Sequence, residues 1–207
     1  MKRLHLFLAS LLFCSSGIAS ASPVTYDITI NTSSIAGTAG SLDFNFIPGM
    51  NQAQVASLQI LGFTSDGTLA GTPALTGDVS GTLPSTLTFD NETGYNDYFE
   101  DFTYGSTLSF DVSLYGPALS SPNGVSAFGS AFAFSMFSDA AGTIPVLTSD
   151  TNDGFAILVN VNPNGTTTLT DLSTPDTSPV PEPSSFLLLG TGMVFALGAL
   201  RSRLMRC

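Results

Sequence analysis

Between Ser22 and Val180 the chain carries negative charge with nothing to oppose it. Of its sixteen Asp and Glu residues only Glu182 lies outside that segment, whereas all five basic residues (Lys2, Arg3, Arg201, Arg203, Arg206), the single His (His5) and both Cys (Cys14, Cys207) do. A fold built from this segment has no internal ion pair and no disulfide, so it must be held by apolar packing and backbone hydrogen bonds. At about 150 residues it is one domain of ordinary size, long enough to bury a single core. The same absences exclude chemistry. Without His or Cys there is no Ser-His-Asp triad, no Cys-His pair and no zinc or copper site of the usual ligands. Without Lys or Arg there is no Schiff base and no side-chain phosphate clamp. Nucleic acid and anionic lipid headgroups repel such a surface, so neither is an expected partner of the body.

The local patterns are those of strands, with β-branched and aromatic residues in short runs punctuated by Gly, Pro, Asn and Asp. The clearest is Leu108–Leu114, in which Leu, Phe, Val and Leu alternate with Ser, Asp and Ser, giving a strand with one wet face. Tyr26, Ile28 and Ile30 share one face of another, as do Leu42, Phe44 and Phe46, and the longer apolar stretch Val55–Phe63 fits strand or helix, with Gly62 and the surrounding pattern favouring strand. Ser126–Phe137 places Phe128, Phe132, Phe134 and Phe137 among Ala and Gly, which predicts a central strand packed on both faces. Phe155, Ile157, Val159 and Val161 form a further face, and Asn162-Pro163-Asn164-Gly165 predicts a hairpin back through Thr166–Leu172. Eight to ten strands without a helix predict an all-β fold, an antiparallel β-sandwich of jelly-roll type, over residues 22–172. Residues 173–179, polar and proline-bearing, read as a linker.

The two ends read as addresses. Residues 1–21 have a basic start, an apolar core from Leu4 to Cys14 and Ala19-Ser20-Ala21, the pattern of a signal peptide cleaved after Ala21. At the other end, Val180-Pro181-Glu182-Pro183 precedes seventeen uncharged residues, 184–200, and then Arg201, Arg203 and Arg206. As a helix, 184–200 covers roughly 25 Å, just enough to span a bilayer core. The arginines hold its far end in the cytoplasm and stop transfer there.

This constellation at residues 180–207 resembles the PEP-CTERM sorting signal of Gram-negative, exopolysaccharide-producing bacteria. The resemblance implies export through the secretory translocon across the inner membrane and temporary anchoring by the C-terminal transmembrane helix. It further implies processing by an exosortase that reads Pro181, Glu182 and Pro183, and delivery to the cell surface or beyond. A plain single-pass anchor is the simpler alternative. The layout of the body, with Gly-Ser-Leu-Asp-Phe-Asn-Phe, Tyr-Asn-Asp-Tyr-Phe and Val-Asn-Pro-Asn-Gly in that order, also resembles uncharacterised proteins bearing this signal, and brings no activity with it.

Within the body the acidic stretch from Asp90 to Asp101 is the candidate site. Asp90, Glu92, Asp97, Glu100 and Asp101 are candidate calcium ligands, although their spacing fits no EF-hand, and Tyr95 and Tyr98 could add an aromatic platform for sugar. A solvated loop is the simpler reading. Asp150–Gly154 reads as a turn before a strand. The expected role is non-enzymatic, structural or interactive, in an extracellular polysaccharide or biofilm matrix, without a resident cofactor. The alternatives are a calcium-dependent carbohydrate-binding module and, more remotely, a carboxylate glycoside hydrolase.

Overall fold

The computed structural model describes residues 22–49 and 53–174, and the backbone of Val180–Pro181. The expected signal peptide, the membrane helix at 184–200 and the terminal arginines lie outside the described residues. In chain order the elements are β1 (Val24–Asn31), a 3-10 turn at Ser33–Ile35, β2 (Ala39–Pro48), β3 (Ser57–Ser65) and the short β4 (Thr68–Leu69), β5 (Ala74–Thr76) and β6 (Val79–Ser80). Then come β7 (Leu87–Asp90), β8 (Asp97–Thr103), β9 (Thr107–Tyr115), the one-turn helix α1 (Pro117–Ser120), β10 (Ser130–Phe137), β11 (Phe155–Val161), β12 (Thr167–Asp171) and β13 (Val180–Pro181).

Two antiparallel sheets face each other, one ordered β13-β1-β9-β3-β7-β6 and the other β12-β11-β10-β2-β8-β4, with β5 also on β8. Pairing is nested. β1 lies against β9, β2 against β8 and β3 against β7, each time in the opposite sheet from the pair before. A long three-strand arm is thus folded back on itself and wound around the core, which is the winding of a jelly roll. β10, β11 and β12 then extend the second sheet from the free edge of β2. The expected sandwich is the observed fold.

Alternation places the core as the sequence predicts. Leu42, Phe44 and Phe46 of β2, Leu108, Phe110, Val112 and Leu114 of β9, and Phe132 and Phe134 of β10 are buried between the sheets. Phe44 and Phe134 of the second sheet meet Phe110 of the first at ring-centroid distances of 5.2 and 4.9 Å. Each such aromatic contact is worth about 0.5–1.5 kcal/mol beyond its buried area. β10 is central and buried on both faces, as expected.

Its start differs from the sequence reading. Phe128 is exposed and precedes the strand, because the β2–β10 register ends with Ser130 opposite Pro48, the last residue of β2, and the bond from Gly49 N–H to Gly129 O closes the pairing before Phe128 is reached. The hairpin between β11 and β12 forms as read: Gly165 donates its N–H to Asn162 O at 2.9 Å with φ +82, the left-handed angle that favours glycine. Ser173 and Thr174, placed in the linker by composition, close onto the body instead. Ser173 is buried and bridges Thr148, and Thr174 N–H donates to Leu147 O.

Candidate functional site

Two regions bear on function, the junction where the body meets its C-terminal motif and the wet face of the second sheet. At the junction Val180 and Pro181 run extended as edge strand β13, with Pro181 opposite Tyr26 and Val180 opposite Asp27 of β1. An edge is where a proline fits a sheet, since its missing N–H leaves only the solvent side without a donor. Glu182, Pro183, Arg201, Arg203 and Arg206 lie outside the described residues, as do Ala19 and Ala21 of the signal cleavage site. Among the described residues no helix is long and apolar enough to cross a membrane.

The acidic stretch does not converge. Asp90 ends β7 in the first sheet and accepts from Ser57 Oγ, and Glu92 is exposed in the turn that follows. Asp97, Glu100 and Asp101 are on β8 in the second sheet, where strand alternation sends Glu100 inward and Asp97 and Asp101 outward. Among the described residues no three His, Cys, Asp or Glu side chains are grouped to hold a metal ion. The sugar platform does not form either, because Tyr98 points into the core with Glu100 while Tyr95 is half exposed.

Within this stretch the amides and one buried carboxylate act as clasps. Asn91 accepts from Ala56 N–H at 2.9 Å and donates to Gln54 O and Ser130 Oγ, tying β3 and β10 to the end of β7. Asn96 accepts from Asp78 N–H at 2.8 Å and donates to Phe46 O at 2.8 Å. Glu100 accepts from Gly71 N–H at 2.7 Å and from the Tyr98 hydroxyl, which itself accepts from Leu83 N–H. Burial, with Glu100 beside it, pushes the Tyr98 hydroxyl well above the ordinary phenol range. The segment after β3 is thereby pinned to the second sheet.

Asp150 behaves as a turn residue, as read. Its carboxylate accepts from the N–H groups of Asn152, Asp153 and Phe155, and Gly154 follows at φ +80. These backbone donors hold the carboxyl below its ordinary range. Asp66 gains the same effect from Ser106 and Thr107 N–H groups, and Asp139 from the Thr143 hydroxyl and neighbouring N–H groups.

The carboxylates that depart most from water-like behaviour include one outside the acidic stretch. Asp43, on the outer face of β2, lies beside Asp97, and burial, reinforced by that neighbour, pushes its carboxyl up to about 9. Asp97 is also raised by burial. Beside them Asn45 is buried and the Tyr95 hydroxyl is raised by its own burial and by both carboxylates. The sequence hides this cluster, since Asp43 and Asn45 alternate with Leu42, Phe44 and Phe46 and read as an ordinary wet face. Only the β2–β8 register brings them to Asp97.

Comparison with curated proteins and with solved structures finds no match for the chain. Comparison with family models matches residues 179–203 to the PEP-CTERM protein-sorting motif, so the strand that pairs with β1 is the leading edge of that match. The chain therefore carries a PEP-CTERM protein-sorting motif, which implies a protein exported and sorted at the membrane of a Gram-negative bacterium with an exosortase as its processing partner.

Proposed function

We propose that this protein is an acidic β-sandwich released to the cell surface or the extracellular space, where it serves a structural or interaction role in a polysaccharide or biofilm matrix. Residues 1–21 act as its cleaved signal peptide, and 184–200 anchors it until the exosortase acts on Pro181-Glu182-Pro183. The sorting motif is the observation that carries the reading.

A non-enzymatic body accords with a segment that has no His, Cys, Lys or Arg.

Intact mass and cell fraction in the native host, with and without the processing protease, test the sorting step. A species beginning at Ser22 and shortened near Pro181 only when the protease is present is expected. A species retaining Cys207 in both hosts would make the chain a plain membrane-anchored protein. Co-sedimentation of the released body with the host's own exopolysaccharide tests the matrix role, and a body that stays in the supernatant removes it.

A further inference from the structure

The outer face of the second sheet holds an oxygen cluster that the protein's own hydrogen bonds do not complete. Asn45 stands directly across from Asp97 on the neighbouring strand, and Asp43 is two residues along β2 on the same face. Directly opposed and diagonal positions of this kind bring side chains to within about 5 and 7–8 Å at Cβ, close enough to share one ligand. Asp43 Oδ1, Asn45 Oδ1 and Asp97 Oδ1 are all buried, and none accepts a hydrogen bond from the protein. Asn45 and Asp97 are each only 8% exposed. Tyr95, 47% exposed, leans its hydroxyl against Asn45 and forms the solvent-side rim.

Three buried acceptors without donors are a costly arrangement, about 1–3 kcal/mol for each. A proton shared between the two carboxyls supplies a donor to that pair and leaves the Asn45 oxygen with none. A cation serves all three at once. Carboxylate and side-chain amide oxygens are the donors that calcium takes, with water completing a coordination shell that needs no ideal geometry. The body offers no imidazole or thiolate to favour zinc or copper.

We propose that Asp43, Asn45 and Asp97 form a binding site for a hard divalent cation, calcium in the exported protein, with Tyr95 and water closing its open side. The site is distinct from a convergence of the 90–101 carboxylates, of which it uses Asp97 alone, and it holds whatever the body's role in a matrix. With only three protein ligands its affinity belongs to the weak class of extracellular calcium modules, Kd about 0.1–1 mM.

Terbium, a luminescent calcium substitute sensitised by nearby tyrosine, tests this on the full-length chain after chelator treatment. Expected are tyrosine-excited terbium emission that calcium displaces, and a rise in Tm with millimolar calcium. Asp43→Asn and Asp97→Asn should each weaken binding about tenfold or more and remove the Tm rise, since each takes one of the site's two charges. Tyr95→Phe should lose most of the emission and keep the Tm rise. If either Asn variant fails to fold, Asn45→Asp decides, because a third carboxylate should tighten calcium binding by about tenfold. A wild-type Tm indifferent to calcium overturns the site, as does a response that Asp43→Asn, Asp97→Asn or Asn45→Asp leaves unchanged.

Discussion

The pH response of this body is set at single carboxyls, by the hydrogen bonds that some accept and by the burial of others. Asp66, Asp139 and Asp150 are held below the ordinary carboxylate range by hydrogen bonds from backbone N–H groups and, for Asp139, the Thr143 hydroxyl. A group depressed in the folded state stabilises it above its unfolded pKa, and that contribution is lost as pH falls below about 4. Asp43 is shifted the other way, to about 9 from an ordinary value of 3.8. Its contribution is complete below the unfolded value and disappears as pH rises toward the folded one. In buffer free of divalent cations, Tm is therefore expected to peak in the mildly acidic range and to fall on both sides. Asp43→Asn should flatten the alkaline limb and leave the acidic limb in place. A Tm that climbs from pH 5 to pH 8 would contradict the buried pair.

The buried amides give a second test at this scale. Asn91→Ala leaves Ala56 N–H and Gln54 O without their side-chain partner. A loss of about 2–4 kcal/mol is expected by chemical denaturation, the range for orphaning buried polar groups. Glu92→Ala, an exposed turn substitution, should change stability by no more than about 0.5 kcal/mol.

Among the elements, the strands with strict alternation were legible and their ends were not. Leu108–Leu114 declares its buried face because side chains in a strand alternate, and the observed burial of Leu108, Phe110, Val112 and Leu114 follows it. Where a strand begins depends on its neighbour. Phe128 fits the period of β10, yet the pairing with β2 ends at Pro48 and Gly49, residues far away in the chain. The same dependence hid the Asp43–Asn45–Asp97 cluster and broke up the acidic stretch: charge density is local in sequence, whereas the face and partner of each carboxylate are set by register.

The crossover from β4 to β6 shows how such pairing is used. It has little core of its own and is held by Glu100, which accepts from Gly71 N–H. Glu100→Gln should loosen residues 70–84 selectively. Hydrogen exchange there is expected to accelerate about tenfold or more, for a loss of at least about 1.4 kcal/mol of local stability, while the β1–β9 ladder keeps its protection. Uniform acceleration across both sheets would place the clasp in the global fold instead.

For the whole molecule, charge and winding set the behaviour. Fifteen carboxylates with no basic residue between Ser22 and Val180 repel one another in the folded state. Monovalent salt should raise Tm steadily as screening shortens the Debye length from about 30 Å at 0.01 M to about 8 Å at 0.15 M. A Tm insensitive to salt would mean that the charges stand too far apart to interact.

The nested pairing has a further consequence if the chain is exported N-terminus first, as the proposed signal peptide would have it. Ile28 lies across from Phe110 and Phe44 across from Tyr98, so the first two strands to emerge have no central partner until about half of the chain has followed. Such contacts between distant parts of a chain form late and slowly. During that interval the emerging body is an open polymer with apolar stripes and no disulfide to fix it. Like charge on every unfinished copy repels its neighbours until β9 arrives to close the roll.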